Sequence, residues 1–140
     1  MAFTHPVTVE FQHCDPAGIV FYPRYFEMIS ATVERFFTDG LGDSFARMHM
    51  VDRIGVPTAH IAVDFRSPSR LEDRLVLTLE VERIGRTSVA FRTICRCGGE
   101  VRFEARHTLV NLDFNAGRPR PWSERQREGF ARHLAPVPAD

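Results

Sequence analysis

The chain has 140 residues, 44% of them hydrophobic and 26% charged, the size and make-up of one soluble globular domain. Its 18 basic and 18 acidic side chains cancel, so there is no overall positive field to hold a polyanion, and a general nucleic-acid binder is not expected. All 18 basic residues are arginine. Schiff-base and P-loop lysine chemistry are therefore excluded, and any anion must be held by guanidinium forks, backbone N–H groups and hydroxyls.

The first periodic segment runs from Val7 to His13, where Val7, Val9, Phe11 and His13 alternate with polar residues. A period of two predicts a strand with one buried face. Asp15-Pro16 and Gly18 break it, and Ile19 to Tyr22 form an unusually apolar loop that is either covered or lines a pocket. A helix follows from about Pro23 to Asp39, with proline suited to its first position and Gly40 to its stop. Tyr22, Tyr25, Phe26, Ile29, Val33, Phe36 and Phe37 form a broad apolar stripe along it, which makes it the helix the fold is built around. Residues 41–57 suggest a short helix with Phe45, Met48 and Val51 facing inward, ending near Gly55 and Pro57.

From residue 58 the period returns to two. Strands are predicted around Ile61–Phe65, Leu75–Val81, Val89–Cys95 and Val101–Leu109. Gly85 and Gly98-Gly99 mark tight connections, so the last three form a meander. An irregular crossing is expected over Asn115–Pro121. Ser123-Glu124-Arg125-Gln126 then reads as a capping box opening a helix to about His133, anchored by Phe130 and Leu134. A frayed tail is expected from Ala135 to Asp140. The order predicts an α+β fold: a five-stranded, mostly antiparallel sheet curled around one long helix. One helix leaves sheet edges and an outer face uncovered, which favours an oligomer.

Cys14, Cys95 and Cys97 are too few for a disulfide framework and read as buried or half-buried free thiols. The six histidines show no metal-ligand spacing, and no metal is expected. Neither a signal peptide nor a membrane-length apolar run is visible, so a cytoplasmic protein is expected. His13 reads as a packed histidine satisfied by backbone, or as a partner that tunes Asp15. His60, Asp64 and Arg66 share a strand face that suits an interface or a pocket.

Asp15 lies between the first strand and the long helix. A helix N-terminus presents open N–H groups to a developing oxyanion, and a carboxylate beside it suits acyl hydrolysis. Spacing alone favours a second reading, an Asx-turn ahead of Pro16.

The run Cys14-Asp15-Pro16-Ala17-Gly18-Ile19-Val20-Phe21-Tyr22-Pro23, continuing to Tyr25, resembles the signature of the 4-hydroxybenzoyl-CoA thioesterase family. The resemblance extends more loosely from Val7 to Phe114 and takes in Gly55, Pro57, Phe65 and Glu72-Asp73. It implies the hotdog fold and an acyl-CoA thioesterase acting on an aromatic or medium-sized acyl group. It implies Asp15 as nucleophile or general base and the Tyr22 backbone N–H as the group that polarises the thioester carbonyl. It also makes the turn carrying Arg86 and Thr87, with Arg83, a site for coenzyme A phosphates. Where the family's most basic members carry three consecutive cations, only Arg86 is charged here, between Gly85 and Thr87.

No cofactor is implied, since water, a carboxylate and oxyanion donors suffice. The partners implied are an acyl-CoA and further copies of the chain, a homodimer or homotetramer with the site between subunits. The alternatives are a non-catalytic hotdog protein that binds acyl-CoA or acyl-carrier protein, and a hotdog dehydratase, which would need a catalytic histidine where this loop offers Asp15. In the 4-hydroxybenzoyl-specific members an acidic residue stands at the helix position matching Ser30. A neutral serine there loses roughly 1–3 kcal/mol on a buried para-hydroxyl, so no preference above about a hundredfold for the hydroxylated over the plain benzoyl thioester is expected.

Overall fold

A computed structural model describes residues 2–136. The strands are β1 (Phe3–Thr8), β2 (Ile54–Gly55), β3 (Thr58–Phe65), β4 (Arg74–Ile84), β5 (Ser88–Cys97), β6 (Glu100–Val110), β7 (Leu112–Asp113) and β8 (Arg118–Pro119). The helices are α1 (Pro23–Arg35) and α2 (Glu124–Ala131). Five strands make one antiparallel sheet in the order β1-β4-β5-β6-β3, wrapped around α1, while β2, β7 and β8 form a small second sheet. This is the hotdog arrangement that the resemblance implied, and β4–β5–β6 is the expected meander.

The first strand lies earlier than the alternation suggested. It spans Phe3–Thr8 and pairs with β4 from Phe3↔Leu79 to Thr8↔Arg74. Pro6 is tolerated because β1 is an edge strand. Beyond it Val9 is buried and exchanges backbone hydrogen bonds with Asp73 and Glu72 instead of extending the ladder. The Glu10 N–H donates to His13 Nδ1 at 2.8 Å, closing a 3₁₀ turn over Phe11–His13. That turn throws Phe11 outward, 84% exposed, where alternation placed it inside.

Helix α1 starts at Pro23 as expected and passes into a π-helical turn over Phe36–Gly40. Tyr25, Met28, Ile29, Thr32, Val33, Phe36 and Phe37 are its buried face. Thr32 is tolerated there because its hydroxyl donates to the Met28 carbonyl at 2.8 Å. Tyr22, assigned to the stripe, is instead exposed beside the helix start. A second π-helical turn, Arg47–Val51, replaces the regular short helix expected there. Met48 is buried and Phe45 half-buried against Phe37, but Val51 faces solvent.

Phe36 is fully buried where the layers meet, its ring centroid 5.6 Å from Phe3, 5.3 Å from Phe91 and 6.3 Å from Phe130. Helix α2 is capped by Ser123 and Gln126 as the sequence predicted. Phe130 anchors it, whereas Leu134 is part-exposed. Beyond Leu79 the edge of β4 is free of β1, and residues 133–135 take it: Val81 donates to the His133 carbonyl and Ala135 to the Val81 carbonyl. Of the tail expected to fray, 137–140 lie outside the described residues.

Replacing Phe36 with alanine empties the junction of three layers. We expect a loss of about 3–5 kcal/mol of unfolding free energy, read as a lower midpoint in denaturant at unchanged slope.

Candidate active site

The site grows from the segment between β1 and α1. After the 3₁₀ turn the chain folds into a small hairpin. Asp15 donates its N–H to the Ile19 carbonyl at 3.0 Å, Phe21 donates to the His13 carbonyl at 2.9 Å, and Cys14 bridges Val20. Gly18 turns it with φ +79°, a left-handed conformation in which a Cβ is strained. The hairpin carries Asp15 on one arm and delivers Tyr22 to the start of α1 on the other.

Asp15 is half-buried, and its Oδ1 accepts from the Ala17 N–H at 2.9 Å. The Asx-turn is therefore present, and it engages one carboxylate oxygen while no described residue takes Oδ2. Tyr22 is the N-cap of α1, with Pro23 after it. No described residue accepts the Tyr22 N–H, so it stands open at the positive end of the helix. Its ring packs edge-on to Phe21 at 5.6 Å and Phe65 at 6.2 Å. His13 makes no hydrogen bond to Asp15; its Nδ1 accepts the backbone N–H of Glu10 instead.

Ser69 ties this hairpin to the body. Fully buried in the β3–β4 loop, it accepts the Val20 N–H on its carbonyl at 2.8 Å and the Tyr25 hydroxyl on its Oγ at 2.8 Å. Burial, only partly offset by that bond, pushes the Tyr25 phenol above its ordinary range. Asp73 braces the same loop, accepting from the Arg70 N–H at 2.9 Å and from Arg102 Nη1 at 2.7 Å. The Arg70 N–H first, then the Arg102 guanidinium, hold its carboxyl below the usual range. The acidic pair Glu72-Asp73 thus builds the loop that supports the site.

Beside α1 lies a cavity of about 500 Å³, within the range of small-molecule pockets. Phe26, Ile29, Ser30 and Val33 of α1 form one wall. The other walls come from Phe45 and His49, from Gly55 to Thr58, from Ile61 of β3, His107 and Leu109 of β6, and from Leu112 and Phe114. Ser30 lines it about 12 Å along the helix from Tyr22. Asp15 and Tyr22 are not among its lining residues; Phe26, one turn beyond Tyr22, is.

Arg83, Arg86 and Thr87 do lie at the β4–β5 turn. The Arg86 and Thr87 carbonyls accept from the Trp122 and Asn111 N–H groups, and Arg127 donates to the Gly85 carbonyl. The side chains of Arg83 and Arg86 are exposed and form no ion pair among the described residues. Within one chain they are not brought to Asp15. The Asp15 hairpin adjoins the start of β4, where Ile19 bridges Arg70, and the turn follows its end. The 11 residues of β4 separate the two by about 33 Å.

His60 and Asp64 are exposed on edge strand β3, and Arg66 donates to Glu104. Asp64 and Arg66 line a shallow outer recess from which His60 is absent. Cys95 is buried, which pushes its thiol up to about 12, and Cys14 and Cys97 are half-buried. Sequence reasoning missed Ser69, His49 and the Thr58–His107 pair as parts of the site. Each had a weak signal: a lone serine in a polar loop, and histidines inside apolar periodicity.

A model of the thioesterase-like superfamily matches residues 9–130. A 1,4-dihydroxy-2-naphthoyl-CoA hydrolase from Nostoc punctiforme is 29% identical over 96 residues, covering 61% of this chain and 57% of that enzyme, so the match spans little more than half of that relative's length. A solved structure of a gentisyl-coenzyme A thioesterase is 25% identical, over 92% of this chain and 99% of its own, with a TM-score of 0.79. A 1,4-dihydroxy-2-naphthoyl-CoA thioesterase from Synechocystis, 17% identical over 94% of this chain and 96% of its own, shares the fold with a TM-score of 0.85.

The Ser69–Tyr25 bond suits a double-mutant cycle. Ser69→Ala strands a buried phenol and should cost roughly 1–3 kcal/mol of stability. Adding Tyr25→Phe should recover part of that loss, and the two single effects should fail to add when unfolding is followed in denaturant.

Proposed function

Because the chain belongs to the thioesterase-like superfamily, we propose that it is an acyl-CoA thioesterase that hydrolyses an aromatic or medium-sized acyl-CoA to the free acid and coenzyme A. The observation that carries this reading is the hairpin at the head of α1. It holds a carboxylate with one oxygen untaken among the described residues and an open backbone N–H, one helical turn before the wall of a largely apolar cavity large enough for an acyl group. The names of the relatives support the thioester class and an aryl acyl group.

In this mechanism the thioester carbonyl oxygen accepts from the Tyr22 N–H, which the helix dipole reinforces as negative charge develops. Asp15 acts in one of two ways. As nucleophile it adds to the carbonyl carbon, expels the coenzyme A thiolate and leaves a mixed anhydride that water cleaves. As general base it removes a proton from a water that adds instead, and the collapsing tetrahedral intermediate expels the thiolate. Neither route needs a metal or a redox cofactor.

The working unit in this reading is a homodimer, or a homotetramer of two dimers. Strand β3 is an unpaired edge, and the exposed rings of Phe21, Tyr22 and Phe65 lie beside it. Pairing two β3 edges antiparallel would bring the Asp15 end of one sheet alongside the Arg86 end of the other. One substrate would then meet Asp15 and Tyr22 of one protomer, with Ser30 in the acyl-pocket wall and Arg83, Arg86 and Thr87 of its partner toward the coenzyme A phosphates. We place the protein in the cytoplasm on this substrate class.

Asp15→Asn keeps the shape of the turn but supplies neither nucleophile nor base. It should lower kcat by about three orders of magnitude, equivalent to about 4 kcal/mol of barrier, while acyl-CoA binding and the melting temperature hold. Near-normal turnover would refute the role given to Asp15. Arg86→Ala removes a contact remote from the breaking bond, so KM should rise more than kcat falls, and the effect should shrink at high ionic strength. Equal losses in kcat and kcat/KM would instead place Arg86 in the chemistry.

A further inference from the structure

The cavity beside α1 is apolar except for four side chains: Ser30, His49, Thr58 and His107. Two of these engage each other, Thr58 Oγ1 lying 2.7 Å from His107 Nε2. Burial holds His107 below the ordinary histidine range and so neutral. Ser30 belongs to the wall formed by α1.

His49 lies outside the Thr58–His107 pair, and its hydrogen pattern follows from the one side-chain hydrogen bond it makes among the described residues. Nδ1 lies 2.7 Å from the Phe45 carbonyl oxygen. A carbonyl oxygen only accepts, so Nδ1 carries the proton. In the neutral ring that proton is the single N–H, and Nε2 then carries a lone pair. No described residue donates to it. The ring is also held in place. It packs 4.9 Å from Phe45 and 5.9 Å from Phe114, and Phe114 in turn lies so close over Gly55 that any Cβ there would overlap its ring. The glycine, the phenylalanine and the carbonyl together fix a hydrogen-bond acceptor in the wall of a largely apolar cavity.

We propose that His49 is a specificity-determining residue of this cavity, its Nε2 accepting a hydrogen bond from a hydroxyl on the ring of an aryl acyl group. This rests on the thioesterase reading. An aliphatic or unsubstituted aryl group has no donor to offer and leaves the acceptor unpaired. A site built to bond a hydroxyl rejects the analogue lacking it more strongly than a merely apolar site distinguishes sizes. Ser30 offers a hydroxyl from the α1 wall that can donate or accept, whereas His49 offers an acceptor held in place by its neighbours.

The test compares kcat/KM for benzoyl-CoA with mono- and dihydroxybenzoyl-CoA thioesters, in wild type and three variants. His49→Phe keeps an aromatic ring without the acceptor, His49→Leu removes both, and His49→Gln restores an acceptor oxygen. Wild type should prefer at least one ring-hydroxylated thioester by about tenfold, the worth of one neutral hydrogen bond. That ratio should fall to near one in both His49→Phe and His49→Leu, whatever happens to the absolute rates, and return in part in His49→Gln. A wild type indifferent to every ring hydroxyl, or a ratio unchanged in the Phe and Leu variants, would overturn the inference and leave the thioesterase reading standing. Failure to cleave any of the thioesters in the panel would overturn both for this substrate class.

Discussion

The constraint on which the rest depends is the burial of one helix against one sheet. Helix α1 has an apolar face wide enough that only a curled sheet covers it, and β1, β4, β5 and β6 supply inward residues along its length. Phe36 secures its C-terminal end in a cluster of aromatic rings, and Tyr25 secures its first turn through Ser69. With both ends held, the helix N-terminus has a fixed direction, and so does the side of the helix that carries Ser30. An open N–H with a set direction stabilises charge at one place, which a fraying helix end does not do.

On the proposed reading, the same geometry leaves a single chain with only part of the site. The hairpin with Asp15 and the turn with Arg86 lie at opposite ends of β4, about 33 Å apart, farther than the pantetheine arm between a thioester and its phosphates can reach. The cavity is lined on one side by α1 and elsewhere by Thr58 and Ile61 of edge strand β3, among other residues. In the proposed dimer, a second copy placed by a two-fold axis would pair the free edge, cover the partly exposed aromatic cluster and reunite the divided candidate residues.

Much of the fold was legible because its signals are periodic. The meander of β4, β5 and β6, helix α1 and the capped start of α2 follow from alternation, a helical stripe and a capping box. What was misread depends on contacts between distant residues. Phe11 continues the alternation of Val7 and Val9, yet the His13 ring and the backbone of Glu72 and Asp73 turn the chain before it. Residues 47–51 adopt a π-helical turn, which has no short-range pattern to find. At the site, spacing alone allowed Asp15 an Asx-turn or a chemical role; the turn is present, and the family signature is what pointed to chemistry. Ser69 and His49 carry no local signal, since one matters through Tyr25 and Val20 and the other through the Phe45 carbonyl.

The most direct measurement is release of free thiol from a panel of aromatic and medium-chain acyl-CoA thioesters, followed with a thiol reagent at substoichiometric protein. The account predicts many turnovers per protomer on at least one aryl or medium-sized thioester, at a rate far above spontaneous hydrolysis. Saturable binding of the same thioesters with no thiol released from any of them would contradict it and leave a protein that holds acyl-CoA without cleaving it.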